Sequence, residues 1–390
     1  TNQFHPPPYQ TNGALFKLAA ASGNFSKPVW VGEWILDFSN PYSPSDPPRD
    51  VSHLVRIKVA EAYASGAVML VPFGTGNVAK EGWPPNRLVL GKERSEVSPY
   101  YRFISEHREV FMDAEPMSDV AILVSTPTAV WSIIPSLGVD GRWRYLEEVL
   151  GWSRALESMG VTYDVLLLGM DGILGTDSIN RLGRYKLIIA PELTHVSVDH
   201  LEGIKEYLAT GGRLIVTPDF ALYDEENDPL PRDLVEPVLS NPNVSVVGSW
   251  LGQELSRSYS SGRVNATLLA LMKGVVEDLL PSRTVYLNFT ENLLVTLMRS
   301  NECFVLHIVN YNYGYDEDED WVTPLSNIEV SLRLPPSFNV SKVELLSPDL
   351  EGLALNYSVG VDGYLTFTVP ELRVWDIVVV HPRTYVGNLT

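Results

Sequence analysis

Cysteine is almost missing from the 390-residue chain: Cys303 is the only one. An internal disulfide framework and a cysteine-based metal cluster are both excluded, and the redox compartment is left open. Basic residues are also scarce beside acidic ones, 29 Lys and Arg against 48 Asp and Glu, for a formal net charge of −19. Nucleic acid and anionic membrane both need a basic footprint, so neither is expected as a partner, and a neutral substrate fits better. No apolar run approaches the ~18 residues that would span a bilayer. The first residues, TNQFHPPPYQ, lack the charged and apolar regions of a signal peptide. No Gly-x-Gly-x-x-Gly follows a strand pattern, and neither a phosphate loop nor a Gly-x-Ser-x-Gly elbow is present, so nucleotide chemistry is not indicated.

Apolar residues, by contrast, are plentiful: 45% of the chain is hydrophobic, enough for two or three cores. Asn-x-Ser/Thr triplets are also in excess. Asn24, Asn243, Asn265, Asn288, Asn339, Asn356 and Asn388 each begin one, where chance would give roughly two or three. Asn and Ser/Thr crowd turns for their own reasons, but the excess favours an exported, glycosylated protein at the cell surface or outside the cell.

Three regimes follow one another. In residues 1–114, KPVWVGE and GAVMLVPFG read as buried strands, with a helical stripe of Val51, Leu54, Val55, Val59 and Ala62 between them that stops at Gly66. Runs that are apolar on consecutive positions belong to parallel strands covered on both faces, so this is a piece of a parallel α/β sheet or barrel. Two strands cannot close a sheet of their own, and TNQFHPPP resembles the tail of a preceding strand, so an upstream segment is expected. Residues 115–262 alternate strand and helix: DVAILVS, a helix from Tyr145 to Met159 with Leu146, Val149, Leu150 and Leu156 inward, VTYDVLLL, YKLIIAP, a helix bearing Leu201, Ile204, Tyr207 and Leu208, and GGRLIVTP. That pattern is a doubly wound parallel sheet. Class I amidotransferases use a similar sheet with a cysteine at a strand-to-helix turn, but Cys303 lies outside this region, which argues against a glutaminase. Residues 263–390, after a short helix at Leu268–Leu279, carry short strands at regular spacing, LLVTLMRS, CFVLHIVNY, IEVSLRLP, KVELLS, YLTFTVP and WDIVVVHP, which read as a β-sandwich.

Within the first regime, KPVWVGEW carries an acid where a strand ends. Val29, Val31 and Glu33 share one face by the period of two, so a barrel whose interior takes the valines delivers Glu33 to its C-terminal mouth, where catalytic groups live. Trp30 and Trp34 beside it supply the aromatic surface on which sugar rings stack. The plain alternative is a loop acid that follows a strand or caps the next helix.

The order FHPPPY, KPVWVGEW, AYASGAVMLVPFG and then the block from VAILVS to TPDF resembles the latter part of a glycoside hydrolase family 42 β-galactosidase, or of a related archaeal-type β-glycosidase. The resemblance covers most of the chain. It implies the C-terminal portion of a (β/α)8 barrel, then an amidotransferase-like trimerisation domain, then a small terminal β domain. It implies a clan A retaining hydrolase in which Glu33 is the nucleophile, acting on β-galactosides, β-glucosides or related oligo- or polysaccharides. The resemblance places His5 at the end of the sixth barrel strand, and His5, Trp34, Phe73 and Trp83 become candidate substrate contacts. A histidine before three prolines is as often a turn residue, and a tryptophan beside a strand is more commonly core. Related enzymes often carry tryptophan where Phe73 stands, which puts strict galactoside specificity in doubt. No cofactor is implied, and self-association is, a trimer among the options.

The acid/base of this resemblance belongs to an Asn-Glu pair on the fourth strand, and no such motif precedes Glu33; Asn301-Glu302 lies among the sandwich strands. The working enzyme therefore needs an upstream segment, as another chain or fragment. The competing reading is a non-catalytic extracellular scaffold or carbohydrate-binding protein on a glycosidase frame. YDEDEDW, with Asp316, Asp318 and Asp320 alternating, invites a calcium site, yet lacks the glycine and distal glutamate of an EF-hand; it reads as a solvated hairpin tip, as does YDEENDPLPRD. No obligatory metal is expected.

Overall fold

Five short apolar segments in the middle of the chain become the strands of one parallel sheet. The structure, a computed structural model, describes residues 11–22, 29–31, 52–69, 92–132, 140–169, 178–300, 302–315 and 320–383. Two compact units divide the chain, one of residues 14–28 and 118–284, the other of residues 1–13, 29–117 and 285–390.

In the first unit, Val120–Ser125, Tyr163–Leu168 and Leu187–Ala190 are buried at every position, as strands covered on both faces must be. With Arg213–Val216 and a fifth strand, Val244–Val246, that the sequence pattern did not single out, they order as Tyr163–Leu168, Val120–Ser125, Leu187–Ala190, Arg213–Val216, Val244–Val246, all parallel. The helix Val198–Ala209 starts where Ser197 and His200 cap each other: Ser197 Oγ accepts from the His200 N–H (3.1 Å) and His200 Nδ1 accepts from the Ser197 N–H (3.4 Å). It buries Leu201, Ile204, Tyr207 and Leu208 as its period requires.

The helix expected from Tyr145 runs instead over Asp140–Glu157, and Gly160, at φ +62°, stops the chain beyond it. Its buried stripe is Tyr145, Glu148, Val149, Trp152, Ala155 and Leu156, whereas Leu146 and Leu150 are only half-buried. The stripe is turned because a second helix, Leu251–Ser260, lies against this one. Gly151 and Gly252 meet there so closely that a Cβ on Gly151 would stand 1.8 Å from the Gly252 carbonyl oxygen. The helix expected at Leu268 begins two residues earlier, Ala266–Leu279, with the Asn265 side chain accepting from the Leu268 N–H.

The second unit contains two antiparallel sheets. One has six strands in the order Leu353–Ala354, Val340–Leu346, Trp375–Pro382, Cys303–Asn310, Leu293–Ser300, Glu115–Pro116; the other has four, Tyr357–Val359, Tyr364–Leu372, Leu325–Arg333, Val285–Leu287. Alternate residues from both sheets, among them Val295, Leu306, Val378, Val330, Phe367 and Val369, share one apolar core. The same unit holds the short parallel pair Val29–Val31 and Ala67–Met69, the helices Ser52–Ala64 and Lys92–Glu106, and the hairpin Tyr313–Tyr315 with Asp320–Val322.

Candidate functional site

Val29–Val31 runs parallel to Ala67–Met69, with Val29 opposite Ala67, Trp30 opposite Val68 and Val31 opposite Met69. The connecting helix Ser52–Ala64 buries Leu54, Val55, Ile57, Val59, Ala60 and Ala62, so its apolar residues wrap most of its circumference. Glu61 is fully buried in this helix. Its Oε1 accepts from the backbone N–H groups of Asn12 and Gly13 and from the Tyr311 hydroxyl at 2.8 Å, so the buried carboxyl group is hydrogen-bonded. Glu33 follows two residues after the first strand. It lies outside the described residues, as do His5, Trp34, Phe73 and Trp83.

A second polar cluster stands at the C-terminal edge of the parallel sheet, where ligands of such sheets bind. Ser125 ends one strand and caps the turn after it; its Oγ accepts from the Thr128 N–H (3.1 Å) and donates to the His195 carbonyl (2.7 Å). His195 is bonded on both ring nitrogens, Nδ1 to Thr194 Oγ1 (2.8 Å) and Nε2 to Asn227 Oδ1 (2.9 Å), and its ring stacks between Trp131 and Tyr223. Burial lowers its pKa, so it stays neutral. Ser125 Oγ thus donates to a backbone carbonyl, and among the described residues both His195 ring nitrogens are engaged with Thr194 and Asn227 rather than with Ser125.

Past the neighbouring strand Leu187–Ala190, Glu192 sits at φ +47°, a left-handed conformation uncommon for a residue with a side chain. Its Oε1 accepts from the Trp250 N–H (2.7 Å), and burial, with the Glu148 and Asp219 carboxylates nearby, pushes its pKa up to about 7. Glu148 accepts from the N–H groups of Gly252 (3.1 Å) and Gln253 (2.8 Å) and from Trp152 Nε1 (3.0 Å). The two glutamates thus satisfy the free donors around the start of Leu251–Ser260, a location that suits negative charge. Neither was singled out from the sequence, although Glu148 could have been: in YLEEVLGW it falls on the buried spacing of Tyr145, Val149 and Trp152.

Of the seven triplet asparagines, Asn288, Asn339 and Asn356 are exposed and Asn243 is half-buried. Asn265 spends its amide on the helix cap and on Glu254, and Asn288 on Asn327 and Glu329. Asn24 and Asn388 lie outside the described residues, as do Asp316 and Asp318 of the acidic loop, while Asp320 opens a strand. In YDEENDPLPRD, Asp224 Oδ1 accepts from the Glu226 and Asp228 N–H groups and so is spent on its own turn. Among the described residues no three His, Cys, Asp or Glu side chains are grouped to hold a metal, and no helix is long and apolar enough to cross a membrane.

Residues 118–239 match the β-galactosidase trimerisation domain. No curated protein matches the chain in sequence. Among solved structures, the α-L-fucosidase isoenzyme 2 of Paenibacillus thiaminolyticus shares 16% identity at a TM-score of 0.63, over 95% of this chain and 63% of that one. A GH42 β-galactosidase from G. stearothermophilus shares 14% at 0.58, over 95% and 56%. The β-galactosidase of Bacillus circulans sp. alkalophilus shares 13% at 0.59, over 96% and 59%. The chain therefore spans 56 to 63% of the length of these structures and has the fold of that part. The resemblance to a GH42-like β-galactosidase, read from the sequence, is shown by the matched domain together with this shared fold.

Proposed function

From a chain whose residues 118–239 match the β-galactosidase trimerisation domain and which shares the fold of part of GH42 β-galactosidases, we propose that it is the C-terminal part of a retaining β-glycoside hydrolase. Its domains are then the last strands of a (β/α)8 barrel (1–114), an amidotransferase-like α/β domain (115–262) and a terminal β-sandwich (263–390). The observation that carries the catalytic assignment is the parallel pairing of Val29–Val31 with Ala67–Met69 through a buried helix, the strand–helix–strand unit of which such barrels are built. By the period of two, Glu33 continues the face of Val29 and Val31 past the C-terminal end of its strand.

Glu33 attacks the anomeric carbon to form a covalent glycosyl intermediate. A second carboxyl group, from a segment preceding this chain's barrel strands, protonates the leaving oxygen and then activates water. His5, Trp34, Phe73 and Trp83 contact the sugar. Neighbours of the same fold are named for α-L-fucosides and for β-galactosides, so the sugar is set by side chains at the barrel mouth rather than by the frame. The chain self-associates through residues 118–239, and export places glycans on the exposed Asn339 and Asn356.

The decisive experiment uses the protein with its upstream segment. A fluorosugar inactivator should label Glu33 alone, and Glu33→Gln should lower kcat by several orders of magnitude with little change in sugar binding. Intact turnover in Glu33→Gln refutes the assignment. No hydrolysis of any β-glycoside by the complete protein puts the carbohydrate-binding scaffold in its place.

A further inference from the structure

Leu293–Ser300 and Cys303–Asn310 pair antiparallel, and Glu302, just before the second of them, takes φ +70°. Cys303 stands at the first paired position, opposite Ser300. On the next strand the pairing of Phe304 with Val380 brings His381 alongside Cys303, and on the strand beyond, His381 is paired with Lys342. Cys303, His381, Lys342 and Glu344 thereby share one face of the six-stranded sheet, the opposite face from Phe304, Val380, Val343 and Leu345, which fill the apolar core.

These side chains form a directed chain of contacts. Cys303 Sγ is 3.6 Å from His381 Nδ1, His381 Nε2 is 3.1 Å from Glu344 Oε2, and Lys342 Nζ is 2.7 Å from Glu344 Oε1. A register shift between Val340 and Lys342 falls directly across from His381 and Pro382, and the Ser341 hydroxyl at that shift reaches the carbonyls of both. Such a bulge bends its strand and re-aims the side chains beside it. The constellation is open to solvent: His381 keeps 33% and Glu344 29% of side-chain exposure, and Cys303 is half-buried.

With Glu344 accepting from Nε2–H, the imidazole presents the lone pair of Nδ1 to the sulfur, the tautomer that a general base needs. Partial burial works against ionisation of Glu344, but Lys342 and His381 outweigh it and hold the carboxyl below its usual range. Partial burial and the Glu302 carboxylate raise the Cys303 thiol, so the resting group is the thiol, and it becomes a nucleophile only when a neighbouring base takes its proton.

We propose that Cys303 is a modification site for small disulfides, with His381 as its base and Glu344 as the positioning residue. As Cys303 Sγ attacks one sulfur of the disulfide, its proton passes to His381 Nδ1. The new sulfur–sulfur bond forms, the old one breaks, and the departing thiolate takes the proton back from His381 and leaves as a thiol. Cys303 is oxidised to the mixed disulfide, and half of the reagent is reduced. The chain holds no second cysteine to resolve the adduct, so it persists until an external thiol removes it.

The test uses the full chain with two probes, dithiodipyridine followed by absorbance and oxidised glutathione followed by intact mass. The native thiol should react about tenfold faster than the same thiol in urea at neutral pH, with one adduct per chain, on Cys303. His381→Ala should lower the native rate about tenfold or more, free imidazole should restore part of it, and Glu344→Gln should give a smaller loss. A native thiol no faster than the unfolded one overturns the proposal without recourse to any variant. So does a folded His381→Ala protein that reacts at the wild-type rate, or a slow one that imidazole does not rescue.

Discussion

Glu148 in the α/β unit and Asp376 in the β-rich unit are both wholly buried, yet they meet opposite surroundings. Glu148 receives three N–H donors, two of them from the start of the helix Leu251–Ser260. Burial raises its pKa, and those donors pull it back. Asp376 lies within the strand Trp375–Pro382 on the core side of Val378 and Val380, and among the described residues no donor reaches either of its carboxyl oxygens. Ser347 is near enough to relieve it slightly, but its hydroxyl donates to the Trp375 carbonyl (3.2 Å). Burial, reinforced by Asp349 and Glu371, pushes Asp376 up to about 7. The difference follows from the backbone: a helix start has N–H groups with no internal partner, whereas the interior of a sheet has already given its own to neighbouring strands.

The sharpest way to break the contrast is to push the two helices apart. Gly151→Ala places a Cβ against the Gly252 backbone, and the expected loss is about 3 kcal/mol or more, a fall in Tm of roughly 6–12 °C read by calorimetry. A shift under a degree would mean that the helix pair is not tightly seated. Glu148→Ala comes next: it strands three buried donors and should cost about 2 to 3 kcal/mol in urea unfolding, with Glu148→Gln recovering part. Equal stability of Glu148→Ala and wild type would remove the cap from the account.

Asp376→Asn gives the smallest effect, and its sign depends on pH. The folded pKa stands above the unfolded value near 3.8, so the stability linked to this group is fully present below that value and is lost as pH rises through about 7. Wild-type stability should therefore fall by on the order of 1 to 2 kcal/mol between pH 5 and 8 through this group, and Asp376→Asn should flatten that slope. Glu192 contributes in the same direction. An unchanged slope in the Asp376→Asn variant would show that its carboxyl is ionised and paired.

The longer strands of both units were legible because burial on two faces or on one writes itself as continuous or alternating apolar residues, LIIA and YLTFTVP being examples of each, whereas short strands such as Val244–Val246 and Tyr357–Val359 carry too few residues to show a pattern. Helix ends and faces were less so. Leu146 and Leu150 look as apolar as Leu156, and only the approach of Leu251–Ser260, a helix of polar composition, turns them aside. Glu192 carried no local signal, because a left-handed turn held by a distant backbone N–H is a property of tertiary structure. Glu33 was reached by strand period and by resemblance, and the pairing of Val29–Val31 supports the strand while leaving the acid itself outside the described residues.

Lys17, on the helix Gly13–Ser22, is buried over the Tyr163 ring at 4.1 Å and donates to the Tyr163 carbonyl, 146 residues further along the chain. During synthesis, at about 5–20 residues per second, that partner is made roughly 7 to 30 s after the helix. Until then an apolar helix with Ala14, Phe16, Ala20 and Ala21 for its inner face has no strand to cover it. The nascent chain thus carries a sticky segment throughout that interval, one that a chaperone bound near the ribosome exit would shield and that a delay upstream of Tyr163 would expose for longer.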